Sequence, residues 1–215
     1  SGPTAAQVTL ADGRVLRAAL VVAADSRMSQ TRRMAGIGAW MHDFGRSAIL
    51  GRVAHARPND AIAWECFRHG NTLALLPLND RMASAVVTVP SDQAPIWMGL
   101  DDAAFAARVQ DQSSACLGAM QAVGPRHLYP LVGVYSHRFA APRVALIGDA
   151  AVGMHPVTAH GWNFGLYGVE VLARELKAAR QAGRDIGALA VLQAFEAEHR
   201  RTTLERQFGG LQRPA

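Results

Sequence analysis

Hydrophobic and polar residues alternate along the start of the chain in two runs, which an Asp-Gly dipeptide separates. The stretch reads AQVTLADGRVLRAALVVAAD, and Asp12 and Gly13 tolerate the positive φ angles of a tight hairpin turn. The second run, residues 18–24, is almost wholly apolar, which is typical of a strand that is covered on both faces. We therefore predict two strands around this turn, the second of them buried and ending at Asp25.

Short apolar runs recur between Phe44 and Val89. They read SAILGRVAHA, AIAWECFRH, TLALLPL and ASAVVTV, and turn-forming residues separate them at 58–60, 70–71 and 79–80. Runs that are rich in β-branched and aromatic residues and bounded by such turns predict an antiparallel sheet.

Helical periodicity appears in four places. SRMSQTRRMAGI predicts a short helix that stops at Gly36, and residues 101–123 predict a helix with acidic residues at its positive end. Leu166, Val169, Leu172 or Ala173, and Leu176 form one apolar stripe of a helix that ends at Gly183. A last amphipathic helix is predicted over residues 187–208.

Two apolar strands end in aspartate, LVVAAD at Asp25 and VALIGD at Asp149. HLYPLVGVYSHRF predicts a further strand just before the second of them. Because the two strands are alike in character but far apart in sequence, we predict one α/β sheet that a sheet-rich insertion interrupts.

The composition is that of a globular protein, since 50% of the 215 residues are hydrophobic. No run approaches the length of a membrane span, and residues 1–7 lack a signal-peptide pattern, so we expect a cytoplasmic location. Cys66 and Cys116 are too few and too far apart for a disulfide framework or a zinc ribbon.

The net charge of +5 raises the question of nucleic acid. The basic residues are almost all arginines, scattered singly or in pairs and not interleaved with aromatic residues as a binding face requires. We therefore expect no nucleic-acid partner.

The stretch GDAAVGMHPVTAHGWNFGL joins the second Asp-ending strand to a helix. In α/β sheets, ligands collect beyond the carboxyl ends of the strands, and a helix start offers unpaired N–H groups and partial positive charge. Such a junction suits polyols and anions, with Asp149 accepting hydroxyl hydrogen bonds. Alternatively, Asp149 only caps the helix and the glycines only form turns.

His155 and His160 have no third ligand at a suitable spacing, so no metal site is expected.

Three stretches resemble those of a known family, the FAD-dependent aromatic-ring hydroxylases (class A flavoprotein monooxygenases). VALIGDAAVGMHPVTAHGWNFGLYGVEVLAREL resembles their second flavin-binding motif, and LVVAADSRMSQTRRMAGI is similar to their Asp-Gly motif. NTLALLPLND and LYPLVGVYSHRF resemble the branch that hydroxylates the ring in ubiquinone biosynthesis. The matches run from about Gln7 to Arg201, in the expected order.

The resemblance implies a fold and domain boundaries. The fold class would be mixed α/β and α+β, the C-terminal part of a Rossmann-like FAD/NAD(P)-binding flavoprotein fold with an inserted antiparallel-sheet substrate domain. Residues 1–40 and 138–186 would belong to the FAD-binding domain, 41–137 to the substrate domain and 187–215 to a C-terminal helix.

The resemblance also implies roles for matched residues. Asp149 would accept hydrogen bonds from the ribityl chain of FAD, and Pro156 would lie beside the isoalloxazine ring. The other implied cofactor-binding residues are Gly148 and Ala150 in the turn, Gly161, Trp162 and Asn163 at the pyrimidine edge, and Asp25, Ser29 and Arg32 of the Asp-Gly motif. The last three residues are equally consistent with an ordinary capped turn.

The sheet between residues 44 and 89 would form the floor of the substrate cavity. Trp64, Phe67 and Leu75 are candidates for its apolar lining, although each residue taken alone fits a core position better. No catalytic residue is assigned, because in this family the flavin carries the hard chemistry.

The chain departs from the family pattern in several places. Ser26 replaces the glycine after Asp25, which argues against a positive φ there; Ala159-His160-Gly161 and Tyr167-Gly168 also differ from the usual residues. No Gly-x-Gly-x-x-Gly follows a strand, so we expect an N-terminally truncated protein that self-associates and retains FAD weakly or not at all.

The resemblance implies an FAD-dependent monooxygenase that uses NAD(P)H and hydroxylates an aromatic ring, a polyprenyl phenol or quinol. The alternative is a non-catalytic remnant that acts as a binding or interaction module. A hydrolase is disfavoured because the chain has no Gly-x-Ser-x-Gly.

The last helix carries arginines at 200, 201 and 206 beside Leu189, Leu192, Phe195 and Phe208. It could lie on an anionic membrane, which would place the protein at the periphery of the inner membrane. An ordinary packed helix is the other interpretation.

Overall fold

The computed structural model describes residues 4–68, 70–154 and 161–208. It divides the chain into two compact units, Ser1–His42 with Val132–Ala215, and Asp43–Leu131. The C-terminal helix, predicted as a region of its own, falls within the first unit.

The described strands and helices are, in chain order, β1 (Ala6–Thr9), β2 (Val15–Ala18), β3 (Val21–Ala23), α1 (Gln30–Met34), β4 (Ala39–His55), β5 (Trp64–Arg68), β6 (Asn71–Asn79), β7 (Met82–Pro90), α2 (Ala94–Met98), α3 (Asp102–Gln112), β8 (Met120–Ser136), β9 (Ala140–Ala141), β10 (Val144–Leu146), β11 (Val152–Gly153), α4 (Gly161–Gln181) and α5 (Leu189–Phe208).

The first two strands form the predicted hairpin. β1 and β2 are antiparallel, and Gly13 in the turn between them has a φ of +83°. The prediction of one buried strand over residues 18–24 is wrong. β2 ends at Ala18 and pairs with β1, whereas β3 begins at Val21 and pairs with β10, so the apolar run serves two different sheets. Val22 is 43% exposed, so β3 is not covered on both faces.

The two Asp-ending strands lie in one sheet, as predicted, and within it they are direct neighbours. β3 and β10 are parallel, with Ala23 opposite Leu146, and β9 pairs antiparallel with the other edge of β10. Parallel strands end at the same edge of a sheet, so the turns that contain Asp25 and Asp149 lie next to each other.

The core of the first unit forms between this sheet, α4 and α5. Its fully buried side chains include Phe139, Leu146, Val171, Leu192 and Phe195. The predicted helix stripe is partly wrong, since Leu166 is 51% and Val169 45% exposed. α4 instead buries Phe164, Gly168, Val171, Leu172 and Ala179, the residues on its side that faces this core.

The second unit contains the predicted antiparallel sheet, in the order β8-β4-β7-β6-β5. One face packs against α2 and α3 through Ile49, Leu73, Val87, Trp97 and Phe105. The opposite face carries Leu50, Ala74, Leu76 and Val86, which no helix of this core covers.

The predicted helix over residues 101–123 is too long. α3 begins where the sequence predicts, with the Asp101 carboxylate accepting a 2.7 Å hydrogen bond from the Ala104 N–H. It ends at Gln112, because Ser114 and Ala115 take left-handed φ values of 53° and 50°. The chain then enters β8 at Met120 and continues as a strand through Gly124 and Pro125.

Among the described residues, every helix is too short or too polar to serve as a membrane span.

Candidate active site

The turn after β3 is a hydrogen-bonded cap for α1. Asp25 accepts hydrogen bonds from Ser29 Oγ at 2.5 Å and from the Thr31 N–H at 3.0 Å, and Ser29 Oγ accepts one from the Arg32 N–H at 2.9 Å. Burial acts to raise the pKa of Asp25, but these hydrogen bonds outweigh it and hold the pKa below its usual value. Both Asp25 oxygens are thus used within the turn.

Ser26 has a positive φ, although a serine after Asp25 was expected to argue against one. Its φ is +72°, the left-handed conformation that a glycine adopts without strain. The Ser29 N–H donates to the Ser26 carbonyl, and this closes the turn at 3.1 Å. The turn therefore keeps the backbone expected of an Asp-Gly motif although the glycine is missing.

Arg32 supports the site from behind. Its side chain is buried, and its guanidinium donates to the Ala150 carbonyl and to the Arg27 carbonyl, both at 3.0 Å. Burial is also the main cause that lowers the pKa of Arg32. Arg32 therefore ties the Asp25 turn to the Asp149 turn, and its contact with the cofactor stays a prediction.

Asp149 lies in a 3-10 turn, residues Gly148–Ala150, directly after β10. Its Oδ2 accepts a hydrogen bond from Arg27 Nε at 2.9 Å, and its side chain is 33% exposed. Sequence reasoning missed Arg27, because nothing in the local pattern distinguishes it from the other arginines. Ala150 is fully buried, and its carbonyl also accepts a hydrogen bond from Ser136 Oγ at 2.9 Å.

Open space surrounds the glycines at this junction. Gly148 has a φ of +56°, and a Cβ placed there would meet nothing within 4 Å; the same is true of Gly161, where α4 begins. Gly165 brings α4 against the turn, since its Cβ would lie 3.7 Å from the Gly148 Cα. Trp162 is 75% exposed, and Asn163 is exposed as well.

These residues form an open cradle that a polyol can enter. Asp149 presents a partly exposed carboxylate, Gly148 leaves the backbone uncovered, and the start of α4 lies beside them. A ribityl chain has hydroxyls that such a carboxylate binds, so the geometry fits FAD.

Pro156, His155 and His160 lie outside the described residues, and no metal-binding cluster of three or more His, Cys, Asp or Glu occurs within the described ranges.

The three predicted substrate residues do not share one surface. Trp64 and Leu75 are direct cross-strand partners, whereas Phe67 lies three residues further along β5 and so projects from the other face. Leu75 is fully buried in the helix-covered core, which agrees with the alternative that it is a core residue. Phe67, 66% exposed, lies on the face that also carries Ala74 and Val86.

Tyr167 and Gly168, which depart from the family pattern, both contact α5. Tyr167 Oη donates to Glu198 at 3.1 Å and accepts from Thr202 Oγ1 at 3.0 Å. Gly168 packs directly against the ring of His199. Both residues that depart from the family pattern therefore have contact partners on α5.

The apolar side of α5 packs partly into the core, although Leu189 is 39% exposed. Leu192 and Phe195 are fully buried in the core of the first unit. The Arg200 guanidinium stacks over the rings of Tyr135 and Phe139 and donates to the His137 carbonyl. Leu192 and Phe195 therefore belong to the core, as in an ordinary packed helix, and the membrane contact stays a prediction.

Comparison with known proteins gives a consistent result. The sequence profile of the family described as "FAD binding domain" matches residues 2–202. Ubiquinone hydroxylase UbiM of Neisseria meningitidis is 47% identical over 194 residues, which are 90% of this chain and 42% of that protein. Ubiquinone hydroxylase UbiL of Rhodospirillum rubrum is 42% identical and is matched over 89% of this chain and 45% of its own length. The chain thus spans less than half of these two relatives.

Solved structures share the fold. PqsL of Pseudomonas aeruginosa, described as a probable FAD-dependent monooxygenase, superposes with a TM-score of 0.71 at 26% identity, over 91% of this chain and 55% of its own. CmlS, a flavin-dependent halogenase, superposes with a TM-score of 0.73 at 17% identity, over 94% of this chain and 38% of its own. This second likeness concerns the fold alone.

Proposed function

The chain belongs to the FAD-binding domain family, and from this premise we propose that it is part of a flavin-dependent monooxygenase that hydroxylates an aromatic ring. The substrate class we propose is a polyprenyl phenol or quinol of ubiquinone biosynthesis, because two relatives are named as ubiquinone hydroxylases. The observation that carries the proposal is the open cradle between Asp149 and the start of α4.

When bound, FAD supplies the redox chemistry that places one oxygen atom of O2 on the ring, with NAD(P)H as the proposed reductant. The residues of this chain would bind and orient it. Asp149 would accept hydrogen bonds from the ribityl hydroxyls, and Gly148 would let that chain approach the backbone.

The start of α4 has an electrostatic role in this proposal. The N–H groups of a helix start are unpaired and carry about half a positive charge. Gly161, Trp162 and Asn163 occupy this first turn. Their backbone would stabilise the negative charge that collects at the pyrimidine edge of a reduced flavin, since preorganised dipoles need no reorganisation during the reaction.

The uncovered face of the sheet in the second unit suits an apolar substrate. Leu50, Ala74 and Val86 are neighbours across β4, β6 and β7, and Leu76 lies two residues along β6 from Ala74. Apolar side chains that no helix of this unit covers are candidates for contact with an aromatic ring or a prenyl tail. Phe67 lies on this same face and is the predicted substrate residue that we retain there.

The test is equilibrium flavin binding by this chain, measured by fluorescence quenching with FAD in excess, because weak retention is expected and would not survive gel filtration. We expect Asp149→Asn to weaken FAD binding, because an amide accepts hydroxyl hydrogen bonds less strongly than a carboxylate. Asp92→Asn, an exposed carboxylate in the second unit, is the matched control and should bind as the wild type does. A wild-type chain that binds no FAD would favour the alternative, a non-catalytic binding module.

We also propose a peripheral membrane contact that is limited to the polar side of α5. Arg201 is exposed, whereas Arg200 stacks on core rings and donates a hydrogen bond to the His137 carbonyl. Binding to vesicles that contain anionic lipid should fall when Arg201 is changed to Glu and should be lost at high salt. Unchanged binding by this variant would remove the proposal.

A further inference from the structure

Arg27 is held in place by contacts on several sides. Its Nε donates to Asp149 Oδ2 at 2.9 Å, and its Nη1 donates to the Val132 carbonyl at 3.1 Å. Its own carbonyl accepts a hydrogen bond from Arg32 Nη2 at 3.0 Å, so the buried Arg32 fixes the backbone beneath it. A guanidinium anchored in this way loses little further conformational freedom when it makes another hydrogen bond.

Gly153 leaves the space that the Arg27 side chain occupies. A Cβ at Gly153 would lie 3.3 Å from Arg27 Cβ and 3.4 Å from its Nε. The distance to Arg27 Cβ is tighter than most Cβ contacts, so a larger residue at 153 would press on the Arg27 side chain that pairs with Asp149. The Arg27–Asp149 pair is therefore built by three segments of the chain, the turns after β3 and β10 and the strand β11.

The pair leaves one donor and one acceptor unused. Among the described residues, Arg27 Nη2 and Asp149 Oδ1 make no hydrogen bond, and the two side chains are 25% and 33% exposed. A hydroxyl group both donates and accepts, so it can bond to the carboxylate oxygen and the guanidinium N–H at once. A chain of hydroxyls suits such a pair better than an anion does, because the Asp149 charge would repel an anion.

We propose that Arg27 positions the Asp149 carboxylate and donates a hydrogen bond to the ribityl chain of the flavin. This inference rests on the proposed function, because it assigns a residue to the same cofactor site. Arg27 acts first on Asp149: its Nε occupies Oδ2, so Oδ1 remains for the ligand. Its Nη2 then contacts the same polyol.

Binding measurements with three flavins distinguish a contact between Arg27 and the ribityl chain from other roles of Arg27. FAD carries the ribityl chain and phosphates, riboflavin carries the ribityl chain alone, and lumiflavin carries neither. For Arg27→Met we expect FAD and riboflavin to bind about 10-fold to 100-fold more weakly, the range for hydrogen bonds to charged groups. Lumiflavin binding should not change. Arg33→Met, which removes an exposed arginine from the same segment, is the matched control and should bind all three flavins as the wild type does.

A double variant tests the coupling between the two side chains. Because Arg27 acts partly through Asp149 and partly by its own contact, Arg27→Met with Asp149→Asn should bind riboflavin more weakly than either single variant but by less than the sum of the two losses. Additive losses would show two independent contacts and would overturn the positioning role. The thermal unfolding of each variant, compared with that of the control, identifies variants that have lost the fold.

Each remaining outcome of the binding measurements overturns the polyol contact of Arg27, the proposed function or both. Equal riboflavin binding by Arg27→Met and the wild type overturns the proposal and leaves the flavoprotein function standing. Equal loss for riboflavin and lumiflavin reveals a merely structural role, and a loss for FAD alone reveals a phosphate contact; both overturn the polyol assignment. A wild-type chain that binds none of the three flavins overturns the proposed function and the Arg27 role together.

Discussion

The ring of His199 packs so closely on Gly168 that no other residue fits there. A Cβ at position 168 would lie 2.5 Å from His199 Cε1 and 3.0 Å from its Nε2. The ring is 2% exposed and is enclosed by Phe139, Tyr167 and Phe195. The contact fixes how closely α4 and α5 approach each other.

Gly168→Ala should lower the free energy of unfolding by about 1 to 3 kcal/mol, the cost of overpacking a core. Gly165→Ala on the same helix is the control, because its Cβ meets only the Gly148 Cα at an ordinary 3.7 Å. That variant should be as stable as the wild type or more so, since alanine favours a helix. Chemical denaturation measures both, and equal stability of the two variants would refute the packing argument.

His199 should make the stability depend on pH. Burial lowers its pKa to about 4, and the backbone of Phe164 offsets only part of this effect. The unfolded chain takes up the proton near pH 6.5, and the folded protein does not until about pH 4, so acid favours unfolding within this window. About 3 kcal/mol of stability should be present above pH 6.5 and be lost as the pH falls to 4.

Unfolding curves of the wild type and of His199→Leu between pH 4 and pH 7 check this dependence. The variant should lose most of the slope in this range, because the group responsible is gone. His137→Gln, which removes an exposed histidine, should keep the slope. A wild type with a flat profile over the same range would contradict the expectation.

Ser26 adopts a left-handed conformation that costs a residue with a side chain more than it costs glycine. Ser26→Gly should therefore raise the free energy of unfolding by about 0.5 to 1 kcal/mol, after allowance for the greater freedom of glycine in the unfolded chain. Ser26→Ala keeps the strain and should be close to the wild type. A Ser26→Gly variant no more stable than Ser26→Ala would show that the turn stores no strain.

Arg32 holds two turns together, so its loss should be costly. Arg32→Met leaves the carbonyls of Ala150 and Arg27 without this donor and should cost about 2 kcal/mol or more. It should also weaken FAD binding, because both turns of the cradle lose their common support. Arg33→Met, with the same chemical change at an exposed neighbour, should be nearly neutral. Similar denaturation midpoints for the two variants would contradict the scaffold role.

Self-association stays a prediction for which α4 offers a surface. Trp162, Leu166 and Val169 form an exposed apolar stripe, and in the described sheet β3 is an edge strand. Light scattering after gel filtration should show an oligomer that Leu166→Glu with Val169→Glu disrupts. Met34→Glu, at an isolated exposed position on α1, should leave the oligomer intact. A monomeric wild type would end this prediction.

Local chemistry accounts for what the sequence predicted correctly. The Asp12-Gly13 turn, the short strand before Asp149, the cap at Ser29 and the start of α3 each depend on a few neighbouring residues, so their residue types were sufficient. The repeated motif of an apolar strand that ends in aspartate was enough to place β3 and β10 in one sheet, and only the structure shows that they pair directly.

The tertiary structure decided the rest. Arg27 and Asp149 are 122 residues apart, and their ion pair exists only because β3 and β10 bring two turns to one edge. The buried face of α4, the burial of Leu75 and the change from α3 to β8 depend on which surfaces pack together, which local periodicity does not specify. The sequence by itself thus determined most turns and helix starts and the chemistry of the cradle. Packing between distant segments decided which side chains face a ligand and which support the fold.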